Sequence, residues 1–515
     1  MDLDPRACYR AVLTRDSRFD GRLFIGVHTT GVYCRPVCPA RTPKREHVSF
    51  FPSAAAAQEA GFRPCLRCRP ETAPDLAAWR GTSNTVARAL TLIESGSLDD
   101  GDVDGLAARL GVGERQLRRL FRQHLGASPI AVAQTRRVQL AKQLIHETRL
   151  PMSEVALAAG FGSIRRFNET FQRLYDRPPA ALRRSGAASL SANGAVTLQL
   201  RYRPPYDWPA MLAFLQRRAI PGVERVANDT YARTIDLNGT HGIVTVRPGK
   251  GHALQVTVRY PRLAELPAII ARLRRVFDLT ADPQTIGAHL SEDAYLAPLV
   301  STRPGLRVPG AWDGFELAVR AVLGQQITVK AAIALAGRLV AQYGTPLVVT
   351  GAPVAGLTHV FPSAARLAVV ASEALPMPAA RARALIALAE AVATDPQLFR
   401  PGRPLDEVIA ALRALPGIGE WTAHYIAMRE MREPDAFPPG DVGLLRAMAD
   451  TDGRRPSPAD LLARAERWRP WRAYAAQHLW ASTADVALPV PKPRRAAAVR
   501  FRARRRLNGH PGLTG

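Results

Sequence analysis

The chain has 515 residues and a formal charge of +26, from 70 Lys and Arg against 44 Asp and Glu. That length exceeds what one hydrophobic core serves, so several domains are expected, and the cationic excess predicts a polyanionic partner, nucleic acid ahead of a membrane. No apolar run is long enough to span a bilayer, the opening "MDLDPRACYRAV" lacks the pattern of a secretory signal, and an odd count of five cysteines suits a reducing compartment, where clustered Cys means metal or chemistry.

The first segment, 1–79, holds every cysteine. Cys34 and Cys38 form C-x3-C in "TTGVYCRPVCPAR", and Cys65 and Cys68 form C-x2-C in "GFRPCLRC". Two pairs, each able to chelate from a turn, match a tetrahedral four-cysteine zinc site. Cys8 has no nearby partner and reads as a buried or free thiol. A purely structural knuckle would need no surrounding cations, yet Arg35, Arg41, Lys44, Arg45, Arg63, Arg67 and Arg69 crowd the pairs, which suits a DNA phosphate. A zinc-held thiolate also stays ionised at neutral pH, so one ligand could react as well as bind.

Those two stretches, with "EHVSFF" between them, resemble the N-terminal domain of the Ada methylation-damage response proteins. The resemblance implies that Cys34 accepts a methyl group irreversibly from a methylphosphotriester in DNA. It also implies zinc, held by Cys34, Cys38, Cys65 and Cys68; among the crowding cations, Arg35, Arg41, Arg63 and Arg67 are the expected DNA contacts.

The second segment, 82–185, is Arg-rich with a helical period. "LAARLGVGERQLRRLFRQHLG" has a helix–Gly turn–helix rhythm, Leu106, Leu110, Leu117, Leu120 and Phe121 making the apolar face while Arg115, Arg118, Arg119 and Arg122 point outward. The pattern returns in "VALAAGFGSIRRFNETFQRLY", with Phe167 and Phe171 inside and Arg165, Arg166 and Asn168 exposed. One such pattern could be an ordinary solvated helix face. Two, each followed by "GASP" or "DRPP", resemble the AraC-type double helix-turn-helix domain and imply a specific promoter, with RNA polymerase as a further partner.

The small-residue stretch 186–195 reads as a flexible linker. Alternating runs then follow, "TLQLRY", "HGIVTVRP" and "ALQVTVRY", predicting strands within 196–285. Ala/Leu-rich helical stretches fill 286–485. In "LPGIGEWTAHYIAMR" a helix–hairpin–helix is expected, Gly417 and Gly419 letting backbone N–H groups approach a phosphate, with Thr422 beside them. Such hairpins also occur in passive DNA binders. Asp441, in "FPPGDVGLLR", can be read as a helix N-cap or as a carboxylate that stabilises an oxocarbenium-like sugar and orients water.

From "LRYRPPYDWPAMLAFLQRRAIPGVE" to "RWRPWRAYAAQHLW" the chain resembles AlkA, the type II DNA-3-methyladenine glycosylase. The resemblance implies an antiparallel sheet domain and a helical hairpin domain, with Asp441 as the catalytic aspartate. Phe214, Trp421, Tyr425 and Trp480 fall at its aromatic base pocket, where electron-rich rings would favour a cationic base. Gln326 stands where the family has an intercalating leucine, and Gly440 replaces an acidic neighbour. Trp421 occupies the place of the Schiff-base lysine found in lyases, so an abasic product is expected. None of the cysteines sits in a "PCHR" motif, so no repair of O6-methylguanine is expected.

The expected fold is therefore multidomain α+β: a small four-cysteine zinc domain, an all-α double helix-turn-helix domain, and an α+β plus all-α helix-hairpin-helix glycosylase. A basic tail, 486–515, closes it. The expected protein is a monomer in the bacterial cytoplasm, nucleoid-associated through double-stranded DNA. A regulator whose third segment survives only as a DNA-binding appendage is the competing reading.

Overall fold

The computed structural model describes residues 4–16, 19–21, 23–70, 84–99, 101–183, 195–349, 354–395, 398–399 and 405–485. The linker and the basic tail lie outside the described residues, apart from Ala195. Among the described residues no helix is long and apolar enough to cross a membrane.

The first segment is built on a sheet that the cysteine pattern did not announce. Strand Phe24–Val27 lies between Val48–Phe51 and Val32–Cys34, both antiparallel to it, and Arg63–Pro64 adds a parallel edge beside Val32–Cys34. This pairing brings the two cysteine turns together, because Cys34 ends one strand and Cys65 follows the other. The apolar clusters under the sheet hold no more than four buried residues each. Such a core is too small to carry a fold by itself, which is where a structural metal belongs.

Two helix-turn-helix units follow, Val103–Arg109 with Glu114–Leu125 and Met152–Ala158 with Ile164–Tyr175, joined by the long helix Pro129–Glu147. Leu106, Leu110, Leu117 and Phe121 are buried in the first unit, and Phe167 and Phe171 in the second. The turns contain Gly111 (φ 69°) and Gly160 (φ 85°), and a Cβ at Gly160 would lie 2.3 Å from the Asp99 carboxylate. Asp99 also receives Arg136 and Arg137 at 2.9 Å, so it ties the turn of one unit to the helix between them.

The third segment opens with five antiparallel strands in the order Val196–Arg201, Ala253–Arg259, Thr240–Pro248, Thr230–Leu237, Glu224–Ala227. The expected strands are among them; the last two are additional. Helices Trp208–Arg218 and Leu266–Val276 contribute Met211, Leu215, Ile269 and Leu273 to the cluster that includes sheet residues Leu198, Val244 and Val256. A separate helical core contains Val319, Leu385, Ile426 and Leu479.

The three segments are not beads on a string. A single buried cluster joins Val138, Ile145, Phe167 and Phe171 of the double helix-turn-helix domain to Leu198, Leu200 and Val256 of the sheet. Gln143 donates to the Gln199 carbonyl (3.1 Å), and Glu147 accepts the Gln199 N–H (3.0 Å). From the same helix, Lys142 Nζ donates to the Cys65 carbonyl at 3.2 Å. Arg203, from the third segment, donates to the Asp20 carbonyl of the first and pairs with Asp282 at 2.9 Å.

Candidate functional site

Two constellations carry chemistry. In the first, the sulfurs of Cys34, Cys38, Cys65 and Cys68 all lie within 4.8 Å of one another. A tetrahedral zinc with bonds of about 2.3 Å separates its sulfurs by about 3.8 Å, so the set fits the ion. Backbone N–H groups of Arg35 and Arg67 donate to the sulfurs of Cys68 and Cys65, each at 3.4 Å. Cys65 and Cys68 are buried, whereas Cys34 and Cys38 are half-buried; Cys8 is buried in a cluster of its own.

The arginines around this site divide. Arg41 and Arg67 are exposed and Arg63 is half-buried. The Arg35 guanidinium turns inward, donating to Asp20 through Nε at 2.7 Å and to the Cys68 carbonyl at 3.1 Å. Arg69 likewise pairs with Glu147 at 3.4 Å. The expectation of Arg35 as a DNA contact is corrected for a physical reason: a buried carboxylate demands a partner, and Arg35 supplies it.

In the double helix-turn-helix domain, Arg115, Arg118, Arg165 and Arg166 are all exposed on the second helix of each unit. Arg118 pairs with Glu114 at 2.5 Å and Arg165 with Glu169 at 2.7 Å. Exposed i,i+4 pairs of this kind hold weakly, so DNA can displace them.

The second constellation is a cavity of about 910 Å³ between the sheet domain and the helical core, lined by Phe214, Trp421, Tyr425, Trp480 and Asp441 among others. All four expected pocket aromatics are there, and so is the expected acid. Asp441 caps the helix Val442–Ala447, its Oδ1 accepting the Leu444 N–H at 2.9 Å. The same Oδ1 accepts from Trp480 Nε1 (2.8 Å), and Oδ2 accepts from Trp421 Nε1 (2.6 Å). The two readings of this aspartate are thus compatible: the cap aims the carboxylate, and two indoles hold it at the cavity wall.

Trp421 and Tyr425 stack face to face, 5.0 Å apart and 11° from parallel. Sequence reasoning missed Arg429, which follows them on the same helix, Glu420–Arg429. The i, i+4, i+8 spacing of Trp421, Tyr425 and Arg429 was the available signal. Its guanidinium carbon lies 4.6, 4.9 and 5.5 Å from the ring centroids of Phe214, Tyr425 and Trp480. It is anchored by the Pro309 carbonyl (2.8 Å) and Gln477 (3.3 Å). Burial lowers its pKa to about 10, which leaves it cationic at neutral pH.

The hairpin lies beside this cavity, between Leu405–Arg413 and Glu420–Arg429. Gly417 needs to be glycine: its φ is 77°, and a Cβ would lie 2.5 Å from that of Ala384. Gly419 has φ −83° and open space around it, so neither its backbone nor its surroundings demand glycine. Thr422, expected at the DNA, is only 2% exposed. Its hydroxyl accepts from Gln325 Nε2 (3.2 Å), which also reaches the Gly417 carbonyl (2.8 Å). Arg381 in turn donates to the Gln325 carbonyl at 2.7 Å. Gln325 thereby clamps the hairpin and leaves Gln326 exposed at φ 57°, a left-handed backbone held at the tip of its turn.

Comparison with known proteins bears on all of these parts. The family model for the metal binding domain of Ada matches residues 7–71, and one for a helix-turn-helix domain matches 106–185. The AlkA N-terminal domain matches 197–313, and the HhH-GPD superfamily of base excision DNA repair proteins matches 319–473. A probable bifunctional transcriptional activator/DNA repair enzyme AlkA of Mycobacterium tuberculosis is 44% identical over 481 residues, covering 93% of this chain and 96% of its own. DNA-3-methyladenine glycosylase 2 of Escherichia coli is 37% identical over 287 residues, 55% of this chain and 95% of its own. Among solved structures, a 3-methyladenine DNA-glycosylase from Archaeoglobus fulgidus shares the fold over 56% of this chain and 99% of its own, with TM-score 0.50 at 20% identity.

Proposed function

The chain belongs to the family of bifunctional transcriptional activator/DNA repair enzymes of the AlkA type, and from that premise we propose how its residues divide the work. It is a zinc-binding, DNA-binding protein of the response to DNA alkylation. It combines an acceptor of methyl groups, a transcription regulator and a DNA-3-methyladenine glycosylase that hydrolyses N-glycosidic bonds.

In the first segment Cys34 is the acceptor, with Cys38, Cys65 and Cys68 as its companion ligands. These four sulfurs would hold zinc, which would keep them ionised and therefore nucleophilic at neutral pH. Cys34 Sγ attacks the methyl carbon of a methylphosphotriester; the S–C bond forms as the C–O bond breaks, and its electron pair restores the phosphodiester anion. With zinc held there, methylation of one of the four thiolates would change the net charge of the site from −2 to −1. Less repulsion of DNA phosphate raises affinity at the promoter, where the two helix-turn-helix units read the groove. Exposed Arg41, Arg67, Arg115, Arg118, Arg165 and Arg166 supply backbone and base contacts. Contact with RNA polymerase, a monomeric state and a working place in the bacterial cytoplasm on the nucleoid belong to this reading.

In the third segment a flipped base enters the aromatic cavity and Gln326 fills the gap it leaves. Asp441 stabilises positive charge growing at C1′ and orients the attacking water. Trp421 cannot form a Schiff base, so the product is an abasic site. The observation that carries the reading is the placement of Asp441, held by two indoles and a helix terminus at the wall of the cavity.

Release of methylated base from alkylated duplex, wild type against Asp441→Asn, tests the enzyme; equal rates would leave a passive DNA binder. Mass spectrometry after incubation with methylphosphotriester DNA should find one added methyl on wild type and none on Cys34→Ser.

A further inference from the structure

The turn that carries Cys65 and Cys68 touches both of the other segments. Leu66, between the two cysteines, packs against the buried cluster that the double helix-turn-helix domain shares with the glycosylase sheet. Two chains of polar contacts leave the cysteine site and end in the third segment. In one, Arg69, which follows Cys68, pairs with Glu147 at 3.4 Å, and Glu147 accepts the Gln199 N–H at 3.0 Å. In the other, Arg35, which follows Cys34, pairs with Asp20, whose carbonyl accepts from Arg203. Arg35 also reaches back to the turn, its main-chain N–H donating to Cys68 Sγ at 3.4 Å and its guanidinium to the Cys68 carbonyl at 3.1 Å.

The first chain ends on the edge of a sheet. Val196–Arg201 is the outermost of the five strands, and an edge leaves main-chain groups open to new partners. Gln143 and Glu147, one turn apart on the helix Pro129–Glu147, take up both groups of Gln199, its carbonyl at 3.1 Å and its N–H at 3.0 Å. The glycosylase is thus docked on the regulator by particular side chains as well as joined to it by the stretch 186–195. Charge decides how methylation acts on that docking. Arg35 and Lys142 donate to the carbonyls of Cys68 and Cys65, and Arg69 adjoins Cys68. Thiolates holding zinc would favour all three cations, since partly buried charges are weakly screened. Methyl transfer turns the Cys34 thiolate into a neutral thioether while the phosphotriester returns to a phosphodiester anion, so this attraction weakens beside Arg35.

We propose that methylation of Cys34 loosens the docking of the glycosylase on the regulator, through Arg35, Asp20 and Arg203 on one route and Arg69, Glu147 and Gln199 on the other. The inference rests on the reading of Cys34 as the methyl acceptor. The same event that raises the regulator's affinity for DNA then frees the enzyme to bind through its own hairpin. Before damage is sensed, the two halves move as one body.

The test uses the full chain, loaded with zinc, with a protease site placed in 186–195 and cut after folding. Before methylation the two halves should sediment together. After incubation with a duplex carrying methylphosphotriesters, and removal of that DNA, their dissociation constant should rise about tenfold against a sample given unmodified duplex, a size usual for coupling between sites. In the uncut wild type, the Gln199 N–H should exchange with deuterium about tenfold faster once Cys34 is methylated, while exchange around Leu385 and Ile426 in the helical core stays the same. Mass spectrometry of the first half counts the methyl groups added. One added methyl with both readouts moved by less than about threefold, or halves that part before any methylation, would overturn the proposal and leave the acceptor reading standing. No added methyl would overturn the acceptor reading and the proposal together.

Discussion

The indole N–H of Trp480 donates to Asp441 Oδ1 at 2.8 Å, from a helix that ends the described chain, 39 residues beyond the acid it holds. The same ring lines the aromatic cavity, so one side chain both shapes the cavity and holds the carboxylate proposed to act there. Trp480→Phe keeps an apolar ring and removes the donor. Losing one hydrogen bond that orients a reacting carboxylate should cost about 1–3 kcal/mol of transition-state stabilisation. Single-turnover base release should fall by about 5- to 150-fold, with the thermal unfolding midpoint little changed. A large drop in the midpoint would assign Trp480 to packing instead.

Gly417 predicts a defect of another kind. Its φ of 77° and the approach of Ala384 leave no room for a Cβ. Gly417→Ala should destabilise the hairpin by about 1–3 kcal/mol and weaken binding to undamaged duplex, measured by fluorescence anisotropy. Gly419→Ala, with φ −83° and open surroundings, should be folded normally, and any loss of binding there would reflect access to phosphate alone.

Gln325 should matter more than its polar, partly exposed character suggests. It joins the turn preceding Val329–Tyr343 to the hairpin through the Gly417 carbonyl and Thr422. Gln325→Ala frees Gln326 from its left-handed position, and affinity for a duplex with an abasic analogue should fall about tenfold, equivalent to 1.4 kcal/mol. Unchanged affinity would mean that Gln325 does not position Gln326, the proposed wedge.

Removing zinc should separate the two activities. The first segment has only small apolar clusters beneath its sheet, so a strong chelator should raise hydrogen exchange through Phe24–Val27 and Val48–Phe51. The third segment has its own extensive core, and base release should persist. If chelation abolished release as well, the docking through Lys142 and Arg203 would be coupling the two halves.

Glu430 gives the fold a dependence on pH. It is buried, its Oε2 has no partner, and burial pushes its pKa up to about 7 despite Arg275 at 3.1 Å. The unfolded chain releases this proton near 4.5, while the folded chain retains it until about 7. Stability from this group is therefore present below pH 4.5 and is lost as pH rises toward 7. Glu430→Gln should flatten that part of the profile in urea unfolding followed from pH 4.5 to 8. An unaltered slope would place the ionisable group elsewhere.

What could be read from the chain itself was whatever depends on short spacing. Cys34, Cys38, Cys65 and Cys68 signal a metal because two residues on one turn can bind one ion. Phe167 and Phe171 signal a helix face because the period is local, and Asp441 stands out because its neighbours form a hairpin and a cap. The third dimension decided everything that joins distant stretches. It turned Arg35 toward Asp20 instead of DNA, gave the second helix-turn-helix unit and the glycosylase sheet a common core, and set Arg429 among the rings of Phe214, Tyr425 and Trp480. Charge and period describe a residue's own turn of chain. Which carboxylate, ring or carbonyl it meets across 15 or 200 residues is settled by packing, where every buried charge must find the partner that the fold happens to place beside it.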